Sequence, residues 1–335
     1  MTSPYIPKDY KPKLDLYETQ MAIGTLKRVF EDNLSKALNL KRVSAPLFVE
    51  SNSGLNDTLS GTERPVMFTT KEDNIEMEIV HSLAKWKRMA LYKYNFSPGE
   101  GLYTDMNAIR RDEVLDNTHS IYVDQWDWER VISAQDRTLD FLKEIVKDII
   151  ASIYETYKTM KSLFPMLNGH ISENLVFVTS QELEDMYPDL TPQEREDVFT
   201  KEHKTVFLMQ IGKVLNSGKK HDGRAPDYDD WELNGDILMY NPVLDKALEI
   251  SSMGIRVDAK ALDKQLKAAG CDERREYLFH KMLLNNQLPL TIGGGIGQSR
   301  LCMLMLQKAH IGEVQVSIWD ENTRALCRAA NVPLL

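Results

Sequence analysis

Cysteine is scarce in this sequence, and the few cysteines present are far apart. The 335 residues include three, Cys271, Cys302 and Cys327, and no C-x-x-C pair. An odd number of widely spaced cysteines favours neither a disulfide framework nor a zinc site. We therefore expect free thiols, with Cys302 acting as a small core residue, in a protein of the reducing cytoplasm.

Long apolar runs are also missing. The first thirty residues mix Lys, Asp and Pro without the apolar run of a signal peptide. No stretch reaches the roughly 18 consecutive apolar residues of a membrane span. The sequence predicts a cytoplasmic protein with no membrane partner, and it contains no internal repeat or low-complexity segment.

Positive charge is in deficit. Lysine and arginine number 41 against 50 aspartates and glutamates, which gives a net charge of -9. Because binding a polyanion requires clustered Lys and Arg, this balance argues against an extended nucleic-acid surface, although a local basic pocket is compatible with it. The length and the 42% hydrophobic content suit a soluble enzyme with a sizeable core.

Glycine is concentrated in one stretch, residues 291–307 (TIGGGIGQSRLCMLMLQ). Its glycines run into Arg300, which opens a segment with apolar side chains at helical spacing. We predict a strand, a tight turn and a helix, whose start could receive a phosphate. The spacing fits neither the dinucleotide fingerprint nor a P-loop, and plain packing of a core helix explains such a stretch equally well.

The remaining pattern, G-x-G-x-x-R-L in Gly295, Gly297, Arg300 and Leu301, resembles the third motif of class II aminoacyl-tRNA synthetases. In that family the arginine lies against ATP. Residues 14–49, a helical stripe followed by two short β-rich runs around Pro46, resemble the first motif. That element forms the homodimer interface of the family, so the resemblance implies a homodimer.

A third segment, residues 99–129, resembles the second motif, with Arg110 on the first arm. Its second arm, VDQWDWE, is similar to the F-T-Q-x-D-x-E arm of the aspartate and asparagine enzymes. Spacing by two would place Gln125, Asp127 and Glu129 on one strand face. That face could also be the solvent side of a half-buried strand. The family's R-x-E has Asp at 112 here, with Glu113 next, so either carboxylate could face the adenine.

Residues 81–88 (HSLAKWKR) place three cations on a short stretch of an acidic chain. They fit a solvated helix start or the capture of a carboxylate substrate. The segment resembles the S-x-x-x-x-K of aspartyl-tRNA synthetases, and this resemblance assigns Ser82 and Lys87 to the substrate.

Residues 213–231 form one long polar loop, of the kind that is mobile or functional. His221 could be a base or a surface residue. The acidic residues and Arg224 could recognise the substrate's amino group and clamp ATP, or solvate a turn, and we select Asp229 among them. Asn234-Gly235 predicts a hairpin turn, with a strand beginning at Asp236.

Residues 248–257 resemble the family's strand that supplies an acidic magnesium ligand and contacts the amino acid. Glu249, Ser252 and Arg256 occupy the relevant positions. A last strand is predicted over residues 313–319.

The ordered set of motifs covers nearly the whole chain and resembles the ammonia-dependent asparagine synthetases. It implies an α+β fold with an antiparallel β-sheet flanked by helices, as in the class II synthetase catalytic core. We expect one catalytic domain over residues 1–335, without an anticodon-binding domain. The partners implied are L-aspartate, ATP, ammonia and a second copy of the chain.

The resemblance also implies a chemistry, in which aspartate receives AMP from ATP-Mg²⁺ and the β-aspartyl-AMP reacts with ammonia. The catalytic residues expected are Arg110 on the α-phosphate, Arg300 on the far phosphates, and Asp57 or Asp127 as the carboxylate that receives a proton from ammonium. The aspartate would contact Ser82, Lys87, Gln125, Asp229, Ser252 and Arg256. The ATP would contact Arg110, Glu113, Asp236, Glu249, Gly295, Gly297 and Arg300, with Glu249 and Asp236 as metal ligands.

Two other functions fit parts of the pattern. A synthetase relative would pass aspartate to tRNA or another acceptor. A silent regulatory paralogue would only bind nucleotide or amino acid, but it would be favoured by loss of Arg110, Glu249 or Arg300, and all three are present.

Overall fold

Nine helices are present in the computed structural model, which describes residues 4–57, 59 and 63–335. The first, α1, begins at a capping box formed by Asp15 and Glu18 and ends at Asn39 in the left-handed conformation. Apolar side chains at helical spacing form its buried stripe, as predicted. The helices are α1 (Leu16–Leu38), α2 (Ala84–Lys93), α3 (Leu139–Leu163), α4 (Ser180–Met186), α5 (Pro192–His203), α6 (Ala259–Ala269), α7 (Leu278–Leu284), α8 (Gln298–Met305) and α9 (Glu321–Ala329).

Eleven strands form two sheets in the described part of the chain. They are β1 (Leu40–Arg42), β2 (Phe48–Glu50), β3 (Met67–Thr69), β4 (Glu76–Ile79), β5 (Gly101–Ile109), β6 (Tyr122–Val131), β7 (Leu175–Thr179), β8 (Thr205–Met209), β9 (Asp229–Asn241), β10 (Lys246–Arg256) and β11 (Thr291–Gly297). The large sheet has eight strands in the order β1-β5-β6-β11-β10-β9-β8-β7, and β2, β4 and β3 form a small antiparallel sheet.

The large sheet is mostly antiparallel, since only its two outer pairs, β1–β5 and β7–β8, are parallel. Its centre consists of the long antiparallel strands β6, β11, β10 and β9. Helices α1 and α3 carry buried apolar stripes and belong to the same core as the sheet. The predicted α+β class with a sheet flanked by helices is confirmed.

Alternation along β6 separates the two faces of the sheet. Trp126 and Trp128 are fully buried in the core, where the Trp126 ring lies 4.6 Å from the ring of Phe30 on α1. Gln125 and Asp127 therefore point to the opposite face of the sheet. This confirms the prediction that the polar residues of the arm share one face.

The predicted tight turn at the glycines is wrong. These residues continue β11 up to Gly297, and α8 begins at the next residue. A side chain at Gly293 would meet the Trp128 carbonyl oxygen at 2.7 Å, and one at Gly294 would meet the Met253 Cβ at 2.5 Å. The glycines are needed because the neighbouring strands and their side chains leave no room for a Cβ.

Two further local predictions are also wrong. Asn234 and Gly235 lie inside β9, where the Asn234 side chain bonds the backbone of Ile211 and Gly235 packs against β8. Residues 313–319 form no strand and follow a short 3₁₀ turn, Ile311–Glu313. In the first case tertiary contacts override a local turn signal. None of the described helices combines the length and apolarity that crossing a membrane requires.

Candidate active site

A cavity of about 400 Å³ opens on the polar face of the central strands. It is lined by β6, β10, β11, the start of α2 and the loops before β6 and β9. Of the residues selected from the sequence, those that line it are Asp57, Ser82, Lys87, Arg110, Glu113, Gln125, Asp127, Asp229, Glu249, Ser252, Arg256, Gly295, Gly297 and Arg300. Asp236 alone of the selected residues does not contribute to the lining.

Strand pairing explains how distant segments meet here. Gly295 lies opposite Asp127 on β6 and opposite Ser252 on β10. A central glycine flanked by two polar strands leaves space above the sheet, and the side chains of its neighbours form the walls of the cavity.

Lys87 forms part of the cavity floor and is 1% exposed. Its Nζ donates to the carbonyl oxygens of Trp128 and Gly294, both at 3.0 Å, and lies 3.3 Å from Asp127 Oδ1. Burial lowers the pKa of Lys87, although the charge of Asp127 opposes this shift. The solvated-helix reading of residues 81–88 is wrong, because the side chains of Lys85, Lys87 and Arg88 are all buried.

Arg256 occupies the same end of the cavity. Its Nε and Nη2 donate to Glu129 Oε2 at 3.1 and 3.0 Å, and its Nη1 pairs with Asp229. Burial opposes the charged form, yet these two carboxylates raise the pKa of Arg256. With Lys87, this gives an end of the cavity where buried cations and anions are fixed by ion pairs, which suits a zwitterionic amino acid.

Asp57 lies beside the start of α2 and is 2% exposed. Its carboxylate accepts from the Ser82 hydroxyl at 3.0 Å and from the Leu59 N–H at 2.9 Å. Burial raises the pKa of Asp57, an effect that the positive charge of Lys85 opposes. The structure thus brings a desolvated carboxyl to the same cavity as Asp127.

Arginines surround a carboxylate at the other end. Arg300 Nη1 lies 3.6 Å from Glu249 Oε2 and donates to the Glu249 carbonyl oxygen at 3.1 Å. Although desolvation of the carboxylate opposes this shift, the charges of Arg300, Arg224 and Arg110 lower the pKa of Glu249. The Glu249 side chain is 44% exposed, so its carboxylate remains accessible from the cavity.

Sequence reasoning did not select Arg224, whose side chain is only 8% exposed and lines the cavity. Its Nη2 donates to Asp236 Oδ1 at 2.6 Å, and its Nη1 bonds the Ser252 hydroxyl. Asp236 thus lies behind Arg224. Burial raises the pKa of Asp236, while the charge of Arg224 opposes the shift. The signal available in the sequence was an arginine within a long acidic loop.

Other side chains of that loop serve its own structure. His221 is buried and its Nε2 lies 2.9 Å from Glu196 Oε1 on α5, so it is not the surface residue considered from the sequence. Asp227 accepts from Lys85, Arg274 and His280 in a buried cluster away from the cavity lining. These contacts fix the loop that presents Arg224 and Asp229.

We expect Gly295→Ala to disable the amino-acid end of the cavity. The added Cβ would lie 2.7 Å from Asp127 Oδ1 and closer still to the Gln125 amide oxygen, so both side chains must move. Overpacking of this kind costs about 1–3 kcal/mol, and we expect the KM for the amino acid to rise at least about tenfold. Steady-state kinetics and thermal unfolding measure the two effects.

Gly24→Ala on α1 is the matched control for this substitution. Its Cβ would meet only the Arg28 guanidinium, at 3.5 Å. A glycine in a helix interior costs about 0.5–1 kcal/mol relative to alanine, so this variant should be more stable and fully active. Equal amino-acid KM values in the two variants would contradict the need for a residue without a Cβ at position 295.

The fold is that of the class II aminoacyl-tRNA synthetase catalytic core. The chain aligns with asparaginyl-tRNA synthetase from Entamoeba histolytica in complex with asparaginyl-adenylate, with a TM-score of 0.66 and 13% identity, over 90% of this chain and 66% of that chain. It aligns also with asparaginyl-tRNA synthetase from Pyrococcus horikoshii complexed with asparaginyl-adenylate, with a TM-score of 0.60 and 15% identity, over 92% and 73% of the two chains.

Within that class, the chain belongs to the aspartate-ammonia ligase family, whose model matches residues 17–331. The aspartate-ammonia ligase of Clostridium tetani is 65% identical over 98% of this chain and 97% of that protein. Those of Clostridium perfringens strain SM101 and Bacillus cereus strain G9842 are 60% and 57% identical, over 99% and 97% of this chain and 99% of each relative.

Proposed function

We propose that this protein is a carbon–nitrogen ligase that makes L-asparagine from L-aspartate and ammonia. ATP drives the reaction through a β-aspartyl-AMP intermediate, and AMP and pyrophosphate are released. The observation that carries the proposal is one cavity with a desolvated, charge-paired end around Lys87 and Arg256 and an arginine-rich end around Glu249. An amino acid fits the first end, and a triphosphate fits the second.

At the amino-acid end, the cations and anions are already fixed by internal bonds. Lys87 and Arg256 offer positive charge to a carboxylate, and Asp229 and Asp127 offer negative charge to an ammonium group. Gln125, Ser82 and Ser252 line the same cavity and supply neutral polar groups. Preorganisation of this kind lowers the cost of ordering the site when the substrate binds.

In the first step, an oxygen of the substrate's β-carboxylate attacks the α-phosphorus of ATP. The bond from that phosphorus to the bridging oxygen breaks, and pyrophosphate leaves with the bond's electron pair. Two anions must approach each other, so positive groups at the α-phosphate stabilise the transition state. We assign Arg110 to the α-phosphate and Arg300 to the far phosphates, while Glu113 and Gly297 complete the nucleotide site. Gly295, which the resemblance assigned to ATP, lies between Asp127 and Ser252, so we assign it to the amino-acid end instead.

The carboxylates at this end fit a divalent cation, which we take to be Mg²⁺. Magnesium in nucleotide sites is bound by one or two carboxylates together with substrate phosphates, and Glu249 reaches the cavity with its carboxylate accessible. Asp236 would join it only if its bond to Arg224 were released. Among the described residues, no cluster of three or more His, Cys, Asp or Glu forms a complete site, so phosphate oxygens would supply further ligands. When bound, the cation neutralises phosphate charge.

In the second step, ammonia attacks the acyl carbon of the anhydride and AMP leaves. Ammonium is the abundant species at neutral pH, so a carboxylate near the anhydride would bind the cation and take up a proton. Asp57 and Asp127 both line the cavity, and Asp57 is the group without a direct ion-pair partner among the described contacts. We therefore place the ammonium at Asp57.

We also propose a homodimer through α1 and the small sheet. Exposed apolar side chains occur on both elements, and Phe48 and Phe68 of the small sheet are in edge-to-face contact at 5.1 Å. The others are Leu16, Tyr17, Met21, Leu47 and Met67. Covering such a surface is favourable, and the acidic net charge agrees with a partner that is not nucleic acid.

The direct test of this function is incubation with L-aspartate, ATP-Mg²⁺ and ammonium. We expect asparagine and AMP in equal amounts, no ADP, and loss of the reaction when a chelator removes the divalent cation. Replacing ammonium with bulk tRNA should give no aminoacylated product. ADP formation would indicate an acyl phosphate and overturn the adenylate, and transfer to tRNA would indicate a synthetase.

A further inference from the structure

The start of α8 is capped by another part of the chain. Gly297, the residue before the helix, supplies no side-chain acceptor. The N–H of Ser299 instead donates to Asp124 Oδ1 on β6 at 3.0 Å, and the Ser299 hydroxyl donates to the same oxygen at 2.6 Å. A carboxylate from a neighbouring strand therefore does what an N-cap side chain normally does.

Asp124 is itself held in place from two other directions. Its Oδ2 forms an ion pair with Lys27 of α1 at 3.2 Å. Gln315 Nε2 donates to Ser299 Oγ at 3.0 Å and to Asp124 Oδ1 at 3.4 Å. Asp124 is only 7% exposed, so these bonds fix both the side chain and the first turn of α8.

Arg300 follows Ser299 in that first turn. Its guanidinium extends into the cavity and bonds the backbone of Glu249. Because the side chain departs from a backbone that Asp124 anchors, a shift of the turn would move the guanidinium relative to Glu249. The arm pattern F-T-Q-x-D-x-E has threonine where Asp124 stands, and a threonine could not form the ion pair with Lys27.

We propose that Asp124 is a positioning residue for ATP. Its carboxylate, neutralised and oriented by Lys27, fixes the first turn of α8 and thereby directs Arg300 at the nucleotide. Pairing with Lys27 also offsets the repulsion that a bare carboxylate on the cavity wall would exert on a polyphosphate. The inference rests on the proposed use of ATP in this cavity.

Substitutions at Asp124 test this role through the two substrate KM values. Asp124→Ala removes the acceptor and should raise the KM for ATP about tenfold, while the KM for aspartate stays within about twofold. Asp124→Asn keeps an oxygen acceptor for the Ser299 N–H, so it should raise the KM for ATP less, about threefold. A residue needed only for folding would not separate the two substrates in this way.

Asp320→Ala is the matched control. Asp320 caps α9 through the Thr323 N–H at 3.0 Å, and α9 contributes no residue to the described cavity lining. This variant should lower Tm and leave the KM for ATP unchanged. The proposal is overturned if both Asp124 variants keep the KM for ATP within twofold of the native value. If Asp124→Ala does not fold, the KM for ATP of Asp124→Asn decides the test by the same criterion. Failure of the proposed function would show instead in the native protein, as a lack of AMP formation.

Discussion

Arg110→Ala should reduce aspartate-dependent exchange of pyrophosphate into ATP by about 10²- to 10³-fold, the effect typical of losing one transition-state donor. Arg110 lies directly after β5 on the wall of the cavity, and its charge contributes to lowering the pKa of Glu249. If it contacts the α-phosphate, its loss acts on the chemical step and lowers kcat more than it raises the KM for ATP.

Arg111→Ala is the control for this prediction. Arg111 lines the same cavity, but it is exposed. Replacing it with alanine removes one positive charge, as Arg110→Ala does. We expect Arg111→Ala to lower the rate of pyrophosphate exchange by no more than a few-fold, and we expect this difference to disappear at high salt. An exposed charge acts mainly through long-range attraction, which salt screens. Similar losses in the two variants would show that Arg110 acts by general attraction of ATP, which contradicts its assignment.

Asp57→Asn should separate the two half-reactions. Ammonia-dependent asparagine formation is expected to fall by about 10²- to 10⁴-fold, the usual contribution of a positioned proton acceptor. Pyrophosphate exchange, which needs only aspartate and ATP, should stay within a few-fold of the native rate. Asp127→Asn is the comparison. Because Asp127 also contacts Lys87, this substitution should reduce both rates.

Asp57→Asn should also raise the Tm at neutral pH. Burial raises the pKa of Asp57. A carboxyl with a raised folded-state pKa stabilises the fold fully below its unfolded-state pKa, and that contribution is lost as the pH rises through the folded-state pKa. The variant should therefore be more stable than the native protein near pH 7, and the difference should shrink in acid. Equal loss of both half-reactions, or a lower Tm at pH 7, would remove the special role of Asp57.

Local features of the fold were predictable because they depend on neighbours in the sequence. The helix that begins at Pro192 follows Thr191, whose side chain forms a capping box with that of Glu194. The amphipathic α3 carries a stripe of apolar side chains at helical spacing, and this stripe packs into the core. The shared face of Gln125 and Asp127 follows from the period of a strand alone.

Predictions failed where distant contacts outweigh local preference. Asn234-Gly235 is a strong turn signal, yet it lies within β9 because the Asn234 side chain satisfies the buried backbone of Ile211. Lys87 and Arg88 looked equally suited to solvent, and they are buried because carbonyl oxygens from separate segments accept their N–H groups.

The sequence by itself determined the α+β class, the order of the motifs and a set of site residues of which all but Asp236 line the cavity. Those features depend on residue type and on spacing within one segment. The tertiary structure decided which of these groups are desolvated, which carboxylates are already paired, and that Arg224 reaches the cavity while Asp236 lies behind it. The physical reason is that burial and ion pairing depend on how β6, β11 and β10 align, and that register brings together residues more than a hundred positions apart.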